Sequence, residues 1–418
     1  MLQNLIFIFH KMKRYYFILI ILIILFTFLG IYVWGPKNNQ NTYENNDFDG
    51  FVTAGDTHSI IALSSNVESW SEYTSPFDEV YTVEKGGGIW VAAGLPTSGG
   101  HQLAWSFDGQ EWTQGSGSDF GTASTAYGIT VAYGNGRWVA GGVPNAANQN
   151  TILYSDDGKV WHSVTGTPFG TTSGNYASII QYLNGKWIAG GSGGDDSEVK
   201  IWFSDDGINW TSASGNPFGT TSGNRPTRFA YGGGIYVAVG YDFNNEEKTI
   251  WYSSDLDTWT TVSSNPFDTG TVFDVVFYDG LFVSTGVFVS GGTGIAWSSD
   301  GETWTASTGV TFNFISVTYS VIPPSDNNTK WFACGLNNIS TRRIYSSTDG
   351  KAWEVSYTES GGGGTTFLDL TSGNGKVVAV GKLGDATDVS VYSSDNGDNW
   401  SKPNGLTEDR YSYVVYRR

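Results

Sequence analysis

From Gly50 to the C-terminus, short apolar runs alternate with turn-forming residues, and no stretch there keeps a 3.6-residue helical period. Residues 128–142, "GITVAYGNGRWVAGG", show the grammar: two strand-like runs flank Asn-Gly, a pair that tolerates the positive φ of a tight hairpin turn. A third run, "TILYS", and a fourth, "VWHSV", follow on either side of "DDGK". The unit therefore predicts four antiparallel strands, A to D.

The unit repeats. The box S-x-D-G-x-x-W is formed by Ser106, Asp108, Gly109 and Trp112; by Ser155, Asp157, Gly158 and Trp161; and by Ser204, Asp206, Gly207 and Trp210. It returns at Ser298, Asp300, Gly301 and Trp304, and at Ser347, Asp349, Gly350 and Trp353. SSDLDTW at Ser253 lacks the glycine, and SSNVESW at Ser64 is a worn copy. The last copy reads as Ser393, Asp395, Gly397 and Trp400 with one extra residue. The closing tryptophans are spaced 42, 49, 49, 49, 45, 49 and 47 residues apart. Four strands in about 47 residues is the blade of a β-propeller. The expected fold is all-β, an eight-bladed propeller of four-stranded blades over 50–418. "RYSYVVYRR" (410–418) reads as an A strand without a B strand, and "GFVTAG" (50–55) as a B strand without an A strand. Pairing them closes the ring and removes an exposed edge.

The box resembles the Asp-box of sialidase-type propellers, S-x-D-x-G-x-x-W, although most copies here are one residue shorter between Asp and Gly. The resemblance implies a structural motif on the rim, away from the active face. Physical chemistry gives the same role. The aspartate can accept N–H groups of its own turn, the glycine takes positive φ, and the tryptophan wedges between sheets. The resemblance also implies a sialidase-like glycoside hydrolase as an alternative function. That chemistry needs three arginines on a carboxylate, a tyrosine–glutamate nucleophile and an aspartate acid. Nine arginines are present, without the family's Arg-Ile-Pro phrase, and no catalytic residue is assigned.

Residues 15–34, "YYFILIILIILFTFLGIYVW", carry no charge and follow "KMKR". Twenty helical residues span about 30 Å, the thickness of a hydrocarbon core. The expectation is a transmembrane anchor with a cytoplasmic N-terminus (1–14), a polar tether (35–49) and an extracytoplasmic propeller. Met12 is an alternative start to Met1.

Net charge is −18, and beyond residue 34 there are 19 basic against 40 acidic residues, a balance of −21. Such a surface disfavours nucleic acid. The single Cys334 lies in an apolar run and reads as a buried small hydrophobe, and the four histidines lack zinc spacing. Binding is expected where loops vary, on the face shared by the B–C and D–A connections. Its candidate ligand residues are Asp195, Asp196, Glu198, Glu246, Glu247, Arg342, Arg343 and Asp385. The partner class is a glycan or a protein. No cofactor is expected. "SGGDDSEVK" (192–200) and "DFNNEEK" (242–248) carry oxygens of the kind calcium takes, without a calcium-loop spacing. Phe169, Phe218 and Phe267 recur with the unit and read as packing under the D–A crossover.

Overall fold

The computed structural model describes residues 50–418 apart from 55–58, 98, 123–124, 147–148, 171–173, 193–198, 220, 222, 242–247, 268–269, 289–292, 311, 322–328, 336–340, 361–365, 383–390, 395–396, 407–410, 412 and 418. The expected anchor at 15–34 and its flanks lie outside the described residues. Among those described, no helix is long and apolar enough to cross a membrane.

The chain is an all-β propeller. Its inner, A-type strands are Phe77–Gly86, Tyr127–Gly134, Tyr176–Leu183, Arg225–Gly232, Val272–Tyr278, Ser316–Val321, Thr366–Gly373 and Tyr413–Arg417. Each touches the next in that order, and Tyr413–Arg417 touches Phe77–Gly86, so the inner strands form a closed ring. Outward from each lie antiparallel partners, as in Arg137–Val143, Ile152–Ser155 and Val160–Ser163. The C-terminal strand pairs with Gly50–Ala54, with Phe51 opposite Tyr416. This is the closure expected from the two orphan strands.

The expected count of eight four-stranded blades needs correction. The described residues form eight sheets, of which seven have four strands or more. The remaining sheet, Thr366–Gly373, Lys376–Lys382 and Val391–Ser394, has three. The segment that follows holds Pro403, which has no N–H to give to a ladder. Asn404 instead bridges Ser69 in the closing sheet.

Local chemistry explains the hairpins. Asn135-Gly136, Asn184-Gly185, Asp279-Gly280 and Asn374-Gly375 all have positive φ at both residues, as a type I′ turn requires. The B strands that follow such A–B turns, as at Ile89–Pro96, Arg137–Val143, Lys186–Ser192 and Leu281–Gly286, are almost wholly buried, because each lies between two neighbours in its own sheet and between two sheets. Trp90, Trp138 and Trp187 are fully buried there. Apolar clusters fill the gaps between successive sheets, as where Val91 and Leu103 meet Val131, Trp138 and Trp161.

An outer belt joins the sheets. Residues just past one D strand bridge, in parallel, the start of the next: Thr165 with Asn209, Ser214 with Thr258, Thr308 with Ala352, and Asn404 with Ser69. Ser116–Gly117 does the same against Val160 and Trp161.

Candidate functional site

The boxes occupy the C–D turns and share one geometry. In the fourth, the Ser204 hydroxyl donates to Asp206 Oδ1 (3.0 Å) and accepts Gly207 N–H (2.9 Å). Asp206 Oδ1 also accepts the N–H groups of Ile208 and Asn209, both at 2.8 Å. Burial, the largest single influence, pushes this carboxyl upward. The two turn N–H groups, the Asn209 amide and the Ser204 hydroxyl together hold it down at about 2. Asp108, Asp157, Asp300 and Asp349 are lowered in the same way. The indole N–H of Trp112, Trp210, Trp304 and Trp353 donates to the carbonyl of the box glycine.

The last box is shifted by one residue from the sequence reading. Gly397 N–H donates to Ser394 Oγ, and Ser394 pairs with Val377 as Ser155 pairs with Trp138. Ser394, not Ser393, is therefore the box serine, and the copy has the ordinary length with Asn396 in the aspartate position. An amide oxygen can accept the same turn N–H groups. Asn66 does so in the first copy, from Glu68 and Ser69. Asp395 and Asn396 lie outside the described residues.

Asp195, Asp196, Glu198, Glu246, Glu247 and Asp385 lie outside the described residues as well. Arg342 and Arg343, read as loop residues, belong to the strand Thr341–Ser347. Arg342 is buried between two sheets: its Nε donates to Glu359 Oε2 at 2.8 Å and its Nη2 to the same oxygen at 2.5 Å. Its Nη2 also donates to the Tyr392 hydroxyl, which donates to Glu359. Tyr392 is itself buried, whereas Glu359 stays partly exposed and also pairs with Lys402. Phe169, Phe218 and Phe267 are buried, as a packing role under the crossover requires. Cys334 is a free, buried thiol. Among the described residues, no three His, Cys, Asp or Glu side chains converge as metal ligands.

The inner strands build a site that the loop-based reading passed over. A bulge in most of them re-aims the following side chain, as at Thr82, Ile179, Arg228, Asp274 and Asp369. These equivalent positions stitch the ring. Thr130 Oγ1 accepts Ile180 N–H, Asp274 Oδ2 accepts Val317 N–H, Ser316 Oγ accepts Leu370 N–H, and Asp369 Oδ2 accepts Val414 N–H. Where Ile179 has no acceptor, Gln181 two residues on accepts Phe229 N–H instead. Arg228 Nε donates to Asp274 Oδ1 at 3.0 Å, and Ser316 Oγ donates to Asp369 Oδ1 at 2.9 Å. Burial dominates the environment of Asp369 and lifts its carboxyl to about 6, despite Arg228 and the Val414 N–H.

Within the ring is a cavity of about 360 Å³, lined by polar groups of Thr82, Glu84, Thr130, Ser178, Gln181 and Arg228. Tyr81 also lines it, near the end opposite the A–B turns. At that end, on the variable-loop face, half-buried aromatic rings gather around a guanidinium. Tyr81 lies 5.4 Å from Tyr127. Arg225 sits over Tyr241 at 4.3 Å and over Tyr176 at 5.8 Å. Tyr241 packs edge-on against Phe273 at 5.8 Å. The Tyr81 hydroxyl donates to Glu79. Burial, then the neighbouring Tyr176 and Glu79, raises the Tyr127 phenol, and Arg225 opposes them. The signal was present in the sequence as non-uniform first residues of the A strands, Tyr127, Tyr176 and Arg225, where a purely structural repeat would favour uniformity.

No family model matches the chain, and no curated protein sequence is similar to it. Solved structures do match. Apo AztD from Citrobacter koseri superposes with a TM-score of 0.52 at 8% identity, over 88% of this chain and 97% of its own. The computationally designed Ika8 protein superposes with a TM-score of 0.50 at 14% identity, over 79% of this chain and 93% of its own. At such identities the likeness is one of fold.

Proposed function

We propose that the chain is a non-catalytic binding module whose ligand, a glycan or a segment of another protein, seats on the aromatic mouth of the central cavity. The Asp-box reading of the repeat belongs to the same proposal, as does presentation of the propeller outside a membrane by residues 15–34. The observation that carries the binding function is the arc of half-buried Tyr81, Tyr127, Tyr176, Tyr241 and Phe273 around Arg225. Tyrosine and arginine dominate the energetics of recognition surfaces, and aromatic rings present large contact area at small entropic cost. The rigid ring below holds them in place before the ligand arrives, which lowers the cost of binding.

Sialidase-like hydrolysis is the less supported alternative, because Arg342 and Tyr392 of the Tyr392–Glu359–Arg342 cluster are buried and only Glu359 is partly exposed. The test is a glycan array, with a pull-down in parallel, using wild type and the Tyr176→Ala and Arg225→Ala variants. A ligand held at the mouth should bind each variant about tenfold more weakly, roughly 1.4 kcal/mol. A ligand whose affinity is indifferent to both substitutions binds elsewhere and sinks this reading.

A further inference from the structure

Tyr278 ends the inner strand Val272–Tyr278, just before the Asp279-Gly280 turn, and is 43% exposed. Its ring stacks on that of Tyr319, which stands on the neighbouring inner strand Ser316–Val321. The ring centroids are 3.6 Å apart and the planes 24° from parallel. This pair departs from the repeat. Tyr319 stands opposite Trp331 in its sheet, as Tyr133 stands opposite Trp138 and Tyr182 opposite Trp187. In those blades the ring lies on a glycine of the preceding blade, Gly86 beneath Tyr133 and Gly134 beneath Tyr182. The position that Tyr278 fills is Leu183 or Ser320 in two further blades, so the blade does not demand a second ring there. Other tyrosine pairs among the described residues are tilted and less open. Tyr231 and Tyr236 lie 4.5 Å apart at 47°, with Tyr236 buried, and Tyr81 and Tyr127 lie 5.4 Å apart at 47°, both half-buried. Tyr357 and Tyr392 lie 5.4 Å apart at 50°, with Tyr392 buried. Tyr319 is held edge-on by buried Trp331 at 5.0 Å, whereas exposed Tyr278 has room to turn its ring.

We propose that Tyr278 and Tyr319 form an oxidative cross-linking site, joined ortho carbon to ortho carbon as dityrosine by a one-electron oxidant, a peroxidase haem acting with peroxide. Each phenol gives one electron and one proton to the oxidant. The two radicals then form one carbon–carbon bond. Each bonded carbon loses its hydrogen as a proton while each phenoxyl oxygen regains one. The chain thus loses two hydrogens in all, and one peroxide becomes two waters. Because the rings already touch, the coupling is effectively unimolecular. The bond closes a loop of about 40 residues and ties two neighbouring blades together. It lies at the A–B turn end of the ring, opposite the aromatic mouth, and does not depend on the ligand proposed there.

The experiment treats the full chain, at low concentration, with a haem peroxidase and one equivalent of hydrogen peroxide, and maps the product by mass spectrometry of its proteolytic peptides. The chain holds 23 tyrosines, so selectivity is the test. The expected product is an intrachain pair of peptides joined through residues 278 and 319, lighter by two hydrogens and fluorescent as dityrosine. The melting temperature of the cross-linked chain should rise by about 5 °C, the chain-entropy effect of closing such a loop. Tyr278→Phe and Tyr319→Phe each keep the stacked ring and remove one phenol, and each should bring the fluorescence down to background. Equal fluorescence in wild type and Tyr278→Phe, cross-links spread over other tyrosines or between chains, or no dityrosine at all would overturn the proposal.

Discussion

Asp369 shows how one residue can be both stitch and liability. It accepts the Leu370 N–H and the Ser316 hydroxyl on one oxygen, and the N–H of Val414 in the closing strand on the other. It is half-buried, Asp274 adds a second negative charge nearby, and Arg228 compensates only in part. The ionised form is therefore disfavoured in the fold, and the carboxyl is raised to about 6. An acid raised above its unfolded value gives stability that is fully present below about pH 4 and is lost as pH rises to about 6. The stability of wild type relative to Asp369→Asn should thus fall by on the order of 2–3 kcal/mol between pH 4 and pH 7. Urea denaturation across that range measures it. A difference that stays constant would mean that Asp369 titrates as an ordinary carboxyl. The box aspartates act in the opposite sense: Asp206, held at about 2, contributes stability that is lost only as pH drops from about 4 toward 2.

At the scale of the element, the hairpin is where sequence and structure agree most closely. Asn-Gly and Asp-Gly dictate the turn because few other residues accept positive φ at both corners. The alternation that follows dictates which side faces a neighbouring sheet. What the pattern hides is the contact across blades. Gly232 ends one inner strand at the place where the next blade's Phe277 ring lies flat, and a Cβ there would sit 2.2 Å from ring atoms. Gly134 stands in the same relation to Tyr182. These glycines look like turn residues in the sequence, yet their φ is not in the left-handed region and their requirement is one of space. Gly232→Ala should cost about 1–3 kcal/mol, the range for overpacking a filled core, read from the shift of the urea midpoint. A neutral result would show that the Phe277 ring moves freely. The bulges are hidden for a related reason. A bulge adds one residue without altering the apolar pattern, so the bulge-following positions of Arg228, Asp274 and Asp369 are not separable from ordinary strand positions by periodicity. The last box shows a register error of the same kind. Two adjacent serines, 393 and 394, fit the motif, and only pairing with Val377 decides between them.

For the whole molecule, closure is the property on which the rest depends. A propeller is a string of units that each bury one face only against the next, so its cooperativity comes from the interfaces between units. The C-terminal segment joins the ring at three points. Tyr413–Arg417 pairs with Gly50–Ala54, Val414 N–H reaches Asp369, and the buried Tyr411 donates its hydroxyl to Glu72 Oε1 at 2.6 Å. The outer belt adds a second latch, with Trp70 N–H to the Asn404 carbonyl and Asn404 N–H to that of Glu68, both 3.0 Å. Unpaired strands at both chain ends made this closure legible in the sequence. The proposed ligand site was not legible, because its residues stand on five inner strands and on the strand Ile235–Tyr241, which share a mouth only once the ring is shut. Deleting residues 411–418 therefore tests more than stability. It should leave Gly50–Ala54 as an open edge, replace a single calorimetric transition by a broad or multiple one, and promote self-association through the bare strand. Ligand capture by the aromatic mouth should be lost with it, since Tyr81 and Tyr127 stand on the inner strands that follow the closing strand around the ring. A truncated chain that melts in one sharp step at the wild-type temperature would show that the outer belt alone holds the ring.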